Sequence, residues 1–260
     1  LANKPLWVST GINNKPTLRF ASASSQLLSN TSVTIQPKTL FMVAKNTVTG
    51  NFAGYPGFIN GRSIISAQQY IYGNSGTTAL AAGTDTGVTY YVNRVATNAF
   101  ADLSVAKVVT LQYTGAVTSA GLDIGYLAGN QYLNGDISEI LIYTTSLSAA
   151  DIYNVESYLQ NKYAIPVVAN SSITLANAIA DGSANATVTL TLKDSLNSGM
   201  PGITPTISVS GAGNTVNACS ATNASGVSTC TMTSTTAQYK TVSITSPASL
   251  TSLTVSATFA

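Results

Sequence analysis

The sequence predicts an all-β chain built as two tandem β-sandwiches, the first ending in one short helix. Three observations predict it. The composition is 45% hydrophobic but only 8% charged, so Ser, Thr, Asn and Gly must supply most of the surface, as in β-rich extracellular proteins. The stretch from Gly135 to Pro166 reads as strand, turn, capped helix and stop. Beyond Val167 helical spacing vanishes, and short runs of Thr, Val, Ile and Ser recur about every ten residues.

Taken in order, Gly11-Ile12-Asn13-Asn14-Lys15-Pro16-Thr17-Leu18-Arg19-Phe20 leads into an apolar strand, and Tyr90-Tyr91-Val92-Asn93-Arg94-Val95 has the form of a hairpin. Ile137–Tyr143 is β-branched and aromatic, opened by Asn134-Gly135-Asp136. Ser148 and Asp151 form a capping box, with Leu147 and Ile152 placed as a hydrophobic staple. Ile152, Val155, Leu159 and Tyr163 then give one apolar stripe, and Pro166 blocks continuation. In the second half, strands are expected at Ser172–Ala176, Ala186–Lys193, Thr206–Ser210, Thr215–Ser220, Val227–Thr233, Lys240–Thr245 and Leu250–Thr258. Cys219 and Cys230 flank the turn-forming run Asn223-Ala224-Ser225-Gly226. A hairpin centred on Ala224 and Ser225 sets them opposite each other, so a disulfide and an oxidising compartment are expected; two free core thiols are the alternative.

These landmarks support two resemblances. Gly135, Asp136, Ile137, Glu139, Tyr158, Leu159, Lys162 and Tyr163 follow the Gly-Asp-Ile-x-Glu and Tyr-Leu-x-x-Lys-Tyr patterns that end bacterial concanavalin A-like (laminin-G-like) domains. Gly11–Phe20 resembles an early strand of that family, and Tyr90–Val95 its Tyr-Val-Asn-Gly hairpin, with Arg94 where Gly is usual. The resemblance covers residues 1–164 and implies a jelly-roll-like sandwich whose first strand, upstream of Leu1, is missing. Lectins, glycosidases and inert spacers share that fold, so it names no ligand.

Residues 168–260 resemble bacterial immunoglobulin-like domains of the invasin and intimin type. The matching landmarks are Ala180-Asp181-Gly182, the strand ending at Lys193-Asp194, Pro201-Gly202-Ile203, Asn223–Val227, Thr233–Ala237 and Tyr239–Val242. Members are mostly stalk modules of surface adhesins. The expected domains are therefore 1–164 and 168–260, joined by Ala164-Ile165-Pro166-Val167.

The chain has no His, which removes Ser-His-Asp and Cys-His catalysis. Its two Glu, Glu139 and Glu156, lie in the strand and helix of one segment. Asp136 and Glu139, three apart in a strand, are expected on opposite faces, so no paired carboxylates for sugar hydrolysis are in view. No enzymatic activity and no obligatory cofactor are expected. The net charge of +2 comes from scattered basic residues, which argues against nucleic acid. No apolar run approaches the ~20 residues of a membrane span.

Two binding chemistries remain. Asp123 and Asp136, with Asp85 and Asp102, are calcium candidates, though they form no Asp-x-Asp cluster and can equally cap turns. Among 13 Tyr, the ligand-binding candidates are Tyr70, Tyr72, Tyr126 and Tyr132, which with Tyr55-Pro56-Gly57-Phe58 are expected on the concave face or in loops bordering it. Tyr70 and Tyr72 alternate by two and should share a face; the alternative is that all pack within the sheet. Trp7 is expected in the core. The expected function is a non-catalytic bacterial surface or secreted adhesin, its first domain binding a glycan or protein on a cell surface and its second a spacer. The rival is a self-associating subunit of an extracellular filament or surface layer.

Overall fold

The computed structural model describes residues 3–47, 50–61, 70–83, 87–100, 103–115, 121–194 and 197–260. The chain divides into two compact units, Leu1–Leu159 and Gln160–Ala260.

The strands of the first unit are β1 (Leu6–Ile12), β2 (Lys15–Phe20), β3 (Leu28–Asn30), β4 (Thr39–Asn46), β5 (Gly57–Asn60), β6 (Ile71–Gly73) and β7 (Leu80–Ala81), followed by β8 (Val88–Val92), β9 (Val95–Ala96), β10 (Lys107–Tyr113), β11 (Leu122–Ile124), β12 (Tyr126–Leu127), β13 (Gln131–Tyr132) and β14 (Gly135–Tyr143). Helix α1 (Ala149–Lys162) follows. A seven-stranded sheet runs β1-β2-β14-β4-β10-β8-β9, and a five-stranded sheet β3-β11-β5-β6-β7; β12 and β13 form a separate ribbon. The core lies between the sheets. Phe20, Leu40, Met42, Val109, Leu111 and Ile137 enter it from one side, and Phe58, Ile59, Ile71 and Leu80 from the other.

β4 and β10 are apolar almost throughout because both their faces are covered. Leu40, Met42 and Ala44 point into the core, while Phe41, Val43 and Thr110 are buried on the opposite face, where Thr110 meets α1. The sequence-predicted hairpin turns on two residues at positive φ, Asn93 and Arg94 (47° and 70°). A second hairpin, which the sequence announced only as the lead into a strand, turns in the same way on Asn13 and Asn14 (45° and 61°).

The capping box forms as expected. The Asp151 amide donates to Ser148 Oγ at 3.2 Å, and that hydroxyl donates to Asp151 Oδ2 at 2.6 Å. The buried stripe of α1 differs from expectation. Ile152 and Leu159 are buried, but Val155 is only half-buried, and Glu156 takes the central position between them.

The second unit holds β15 (Ser172–Leu175), β16 (Ala186–Thr191), β17 (Thr206–Val209), β18 (Asn214–Val216), β19 (Val227–Ser234), β20 (Gln238–Ser246) and β21 (Thr254–Phe259). They form sheets ordered β15-β16-β19-β18 and β17-β20-β21, the pattern of a seven-stranded immunoglobulin-like sandwich. Val188, Leu190, Cys230 and Met232 face Val242, Ile244, Ala257 and Phe259 across its core. The last strand starts later than expected. Ala248–Leu250 is a 3-10 turn, and Leu250 is spent on the core, fully buried. Cys219 and Cys230 are disulfide-bonded, and the turn between them is closed by hydrogen bonds linking Asn223 with Gly226 and Val227. Near the chain end, Ala178 pairs with Phe259 in parallel. The Ala178 amide donates to the Thr258 carbonyl (3.2 Å), and the Ala260 amide to the Ala178 carbonyl (3.1 Å). Lys240 is completely buried; its Nζ donates to the Ala212 carbonyl at 2.8 Å, and burial pulls its pKa down.

Candidate functional site: a tyrosine surface around Gly57

A bulge sets up the candidate site. In β5, Gly57 pairs with Tyr72 of β6 and Ile59 with Ile71, so Phe58 is one residue more than the partner strand supplies. Phe58, Ile59 and Ile71 belong to the core, which leaves Gly57 and Tyr72 on the opposite, outer face. There β12 lies directly on Gly57: a Cβ at position 57 would stand 2.3 Å from the Tyr126 carbonyl carbon and 2.4 Å from the Leu127 nitrogen. Only glycine admits the ribbon so closely.

The ribbon pairs Tyr126 with Tyr132, and their rings meet at 5.1 Å between centroids, tilted by 47°. Beside Gly57, the Tyr72 ring makes an edge contact with Tyr55 at 6.2 Å. Tyr55 is 43% exposed and the other three rings are half-buried. Burial, and then the neighbouring Tyr55, raise the Tyr72 hydroxyl above its usual pKa, so it stays neutral. Residues 50–61, 70–83 and 121–134, which include all four tyrosines, contain no Lys or Arg and one acid, the buried Asp123.

Of the four predicted aromatic residues, Tyr126 and Tyr132 meet each other, Tyr72 is the cross-strand partner of the glycine on which their ribbon rests, and Tyr70 stands apart. Tyr70 is fully buried, its ring 6.4 Å from Tyr113 and its hydroxyl donating to the Ile35 carbonyl at 3.1 Å. The expectation that Tyr70 and Tyr72 share a face fails because the strand begins only at Ile71, so Tyr70 precedes the ladder and turns into the core. Trp7 also departs from expectation: it is 64% exposed on β1, an edge strand that among the described residues pairs only with β2.

Asp136, one of the calcium candidates, is engaged by two basic side chains. Its buried carboxylate accepts two bonds from Arg19, 2.7 Å from Nε and 2.8 Å from Nη2, with Lys45 Nζ at 3.5 Å. Two cations already occupy the oxygens that an ion would need. Asp123 is buried in β11 opposite Asn60 and Ser29. Among the described residues no group of three His, Cys, Asp or Glu could hold a metal, and Asp85 and Asp102 lie outside those residues. The expected opposition of Asp136 and Glu139 is also corrected. A bulge at Ser138 pairs Asp136 with Lys45 and Glu139 with Val43, which puts both acids on one face.

Sequence reasoning passed over the group that fastens α1 to the sheet. Thr110 Oγ1 donates to Glu156 Oε1 at 2.5 Å, and Arg94 Nε lies 3.7 Å from Glu156 Oε2. Arg94 Nη2 donates to the Tyr153 carbonyl at 2.8 Å and to Ser157 Oγ. Burial raises the Glu156 pKa, opposed by the Thr110 bond and Arg94. The available signals were an arginine where the hairpin usually has glycine, and a glutamate one turn after Ile152. In the second unit, a depression of about 260 Å³ between β17 and β18 is lined by Ile207, Val216 and Cys219 with small polar neighbours, and holds no charged or aromatic side chain.

No curated protein matches the chain. Among solved structures it is similar to an adhesin, InvE, of Yersinia pseudotuberculosis, with 28% identity and a TM-score of 0.29 over 36% of this chain and 26% of that one. It is similar to invasin, described as a bacterial integrin-binding protein, with 14% identity and a TM-score of 0.32 over 100% and 39% of the two chains. FdeC, an Escherichia coli adhesin, shows 12% identity and a TM-score of 0.31 over 90% and 61%. This chain therefore spans about a quarter to two-fifths of the first two, and such TM-scores establish no shared overall fold. Residues 169–260 match the family described as the bacterial Ig-like domain (group 1).

Proposed function

We propose that the chain is a non-catalytic part of a bacterial cell-surface or secreted adhesin. Its first unit is a concanavalin A-like sandwich binding carbohydrate or another surface ligand, and its second is a stalk or spacer. The observation that carries this reading is the tyrosine surface around Gly57, where Tyr72 is the glycine's cross-strand partner and the Tyr126 backbone rests on the same residue. The bacterial Ig-like match over residues 169–260 supports the spacer and the bacterial surface location. The Cys219–Cys230 disulfide agrees with an oxidising, extracellular setting. Scattered basic residues argue against a nucleic-acid partner, and no described helix is long and apolar enough to cross a membrane. Fluorescently labelled chain is expected to bind cultured animal cells saturably and to lose that binding when Tyr126 and Tyr132 are both replaced by Ala. Saturable binding that survives the double replacement, or no binding, would overturn the reading.

One observation favours a second reading, a structural subunit of an extracellular filament or layer. Among the described residues strand β1 leaves one edge unpaired and exposes Leu6 (61%) and Trp7 (64%), a surface open to pairing with another chain. Low surface charge works the same way. Sedimentation velocity separates the two readings: a monomer at all concentrations supports the adhesin, and multimers dispersed by Trp7→Lys support the subunit.

A further inference from the structure

We propose that Tyr55, Tyr72, Tyr126 and Tyr132 form a single binding surface whose ligand is a neutral glycan, held by ring stacking rather than by charge. This rests on the carbohydrate-binding reading of the first unit and adds the residues and the ligand class.

The single surface follows from Gly57. Tyr72 is its direct cross-strand partner, and neighbours so paired hold their Cβ positions about 5 Å apart. The Tyr126 backbone rests on the same residue from above. Tyr55 joins through Tyr72, and Tyr132 through Tyr126, so four rings lie within one or two contacts of one glycine. Rings in mutual contact are held without immobilising long side chains on binding, which keeps the entropic cost of a ligand low.

The ligand class follows from what surrounds the rings. The three stretches carrying them hold Asn, Gln, Ser and Thr as their polar groups, and no cation. A pyranose offers an apolar C–H face to a ring and hydroxyls to neutral donors and acceptors, which these stretches supply. A sialylated or sulfated sugar would bring negative charge to stretches that, among the described residues, hold no Lys or Arg to pair it. A protein partner fits less well, because the standard interface buries about 800 Å² per side around an apolar centre. The large exposed aliphatic and tryptophan side chains of the described first unit, Leu6, Trp7 and Val95, lie on β1 and β9, whereas the tyrosines belong to β6, β12, β13 and the loop before β5.

The test is a printed array probed with the full chain. It carries glucose-, galactose-, mannose- and N-acetylglucosamine-terminated glycans, with sialylated and sulfated counterparts. A neutral glycan should bind and be competed by the same oligosaccharide free in solution, which excludes the carrier. Its affinity should change by less than about twofold between about 0.05 and 0.5 M salt. Y126A/Y132A should weaken binding about tenfold or more, while Y126F/Y132F stays within about threefold, since the ring and not the hydroxyl is used. Tyr55→Ala, at the most exposed ring, checks the result in a variant least able to disturb folding. Binding that prefers charged glycans yet needs these tyrosines overturns the neutral class and leaves the carbohydrate reading standing. Neutral binding indifferent to every tyrosine variant overturns the site, and an array without any bound glycan overturns the inference and that reading together.

Discussion

The guanidinium carbon of Arg94 lies 4.3 Å from the ring centroid of Tyr153, tying the tip of the β8–β9 hairpin to α1. The same side chain faces the buried Glu156, so one residue of a two-residue turn fastens a helix to a sheet.

Arg94→Ala should destabilise the first unit by about 2–4 kcal/mol, because it removes the ring contact and leaves Glu156 buried without its cation. Arg94→Gly should lose about 1 kcal/mol less, since glycine adopts the turn's φ of 70° freely. Urea unfolding of both variants checks the order. Equal losses would show that the turn is not strained by arginine.

Glu156 titrates above its ordinary value of 4.5 because burial outweighs the Thr110 bond and Arg94. The folded state then binds the proton more tightly than the unfolded one. Stability from this group is fullest below the unfolded pKa and is lost as pH rises through the raised folded value. Unfolding free energies of wild type and Glu156→Gln, compared between about pH 4 and 7, should show the wild type falling relative to the variant.

Gly57→Ala should cost about 1–3 kcal/mol and shift the β12–β13 ribbon, because the new methyl would collide with the Tyr126 backbone. Ligand binding by the four tyrosines should fall with it. Gly54→Ala is the comparison in the preceding loop: a Cβ there meets nothing within 4 Å, so its cost is the strain of a φ of 72° alone and the ribbon should not shift.

Replacing Cys219 and Cys230 together by Ala should lower the stability of the second unit by about 2–3 kcal/mol, as expected for a closed loop with a separation of 11 residues. The first unit's transition should not move. Calorimetry of both forms checks this.

Much of the architecture was legible because it rests on local signals. The Ser148–Asp151 cap, the Asn93-Arg94 turn, and the spacing of seven strands after Val167 are each set within a few residues. The misreadings share another cause: non-local register. Tyr70 and Tyr72 look equivalent by alternation until β6 is seen to start at Ile71. Asp136 and Glu139 look opposed until the bulge at Ser138 realigns them. Trp7 looks like core until β1 proves to be an edge. The tyrosine surface was half legible, since Tyr72, Tyr126 and Tyr132 were identified singly. Their convergence depends on Gly57, which meets the ribbon only after about seventy residues of intervening chain have folded back.

The parallel pairing of Ala178 with Phe259 acquires meaning once tension is considered. A pull between the beginning and the end of the second unit acts along these two segments, so their hydrogen bonds are loaded in shear and must break together instead of unzipping one at a time. A domain stitched in this way resists stretching by geometry alone.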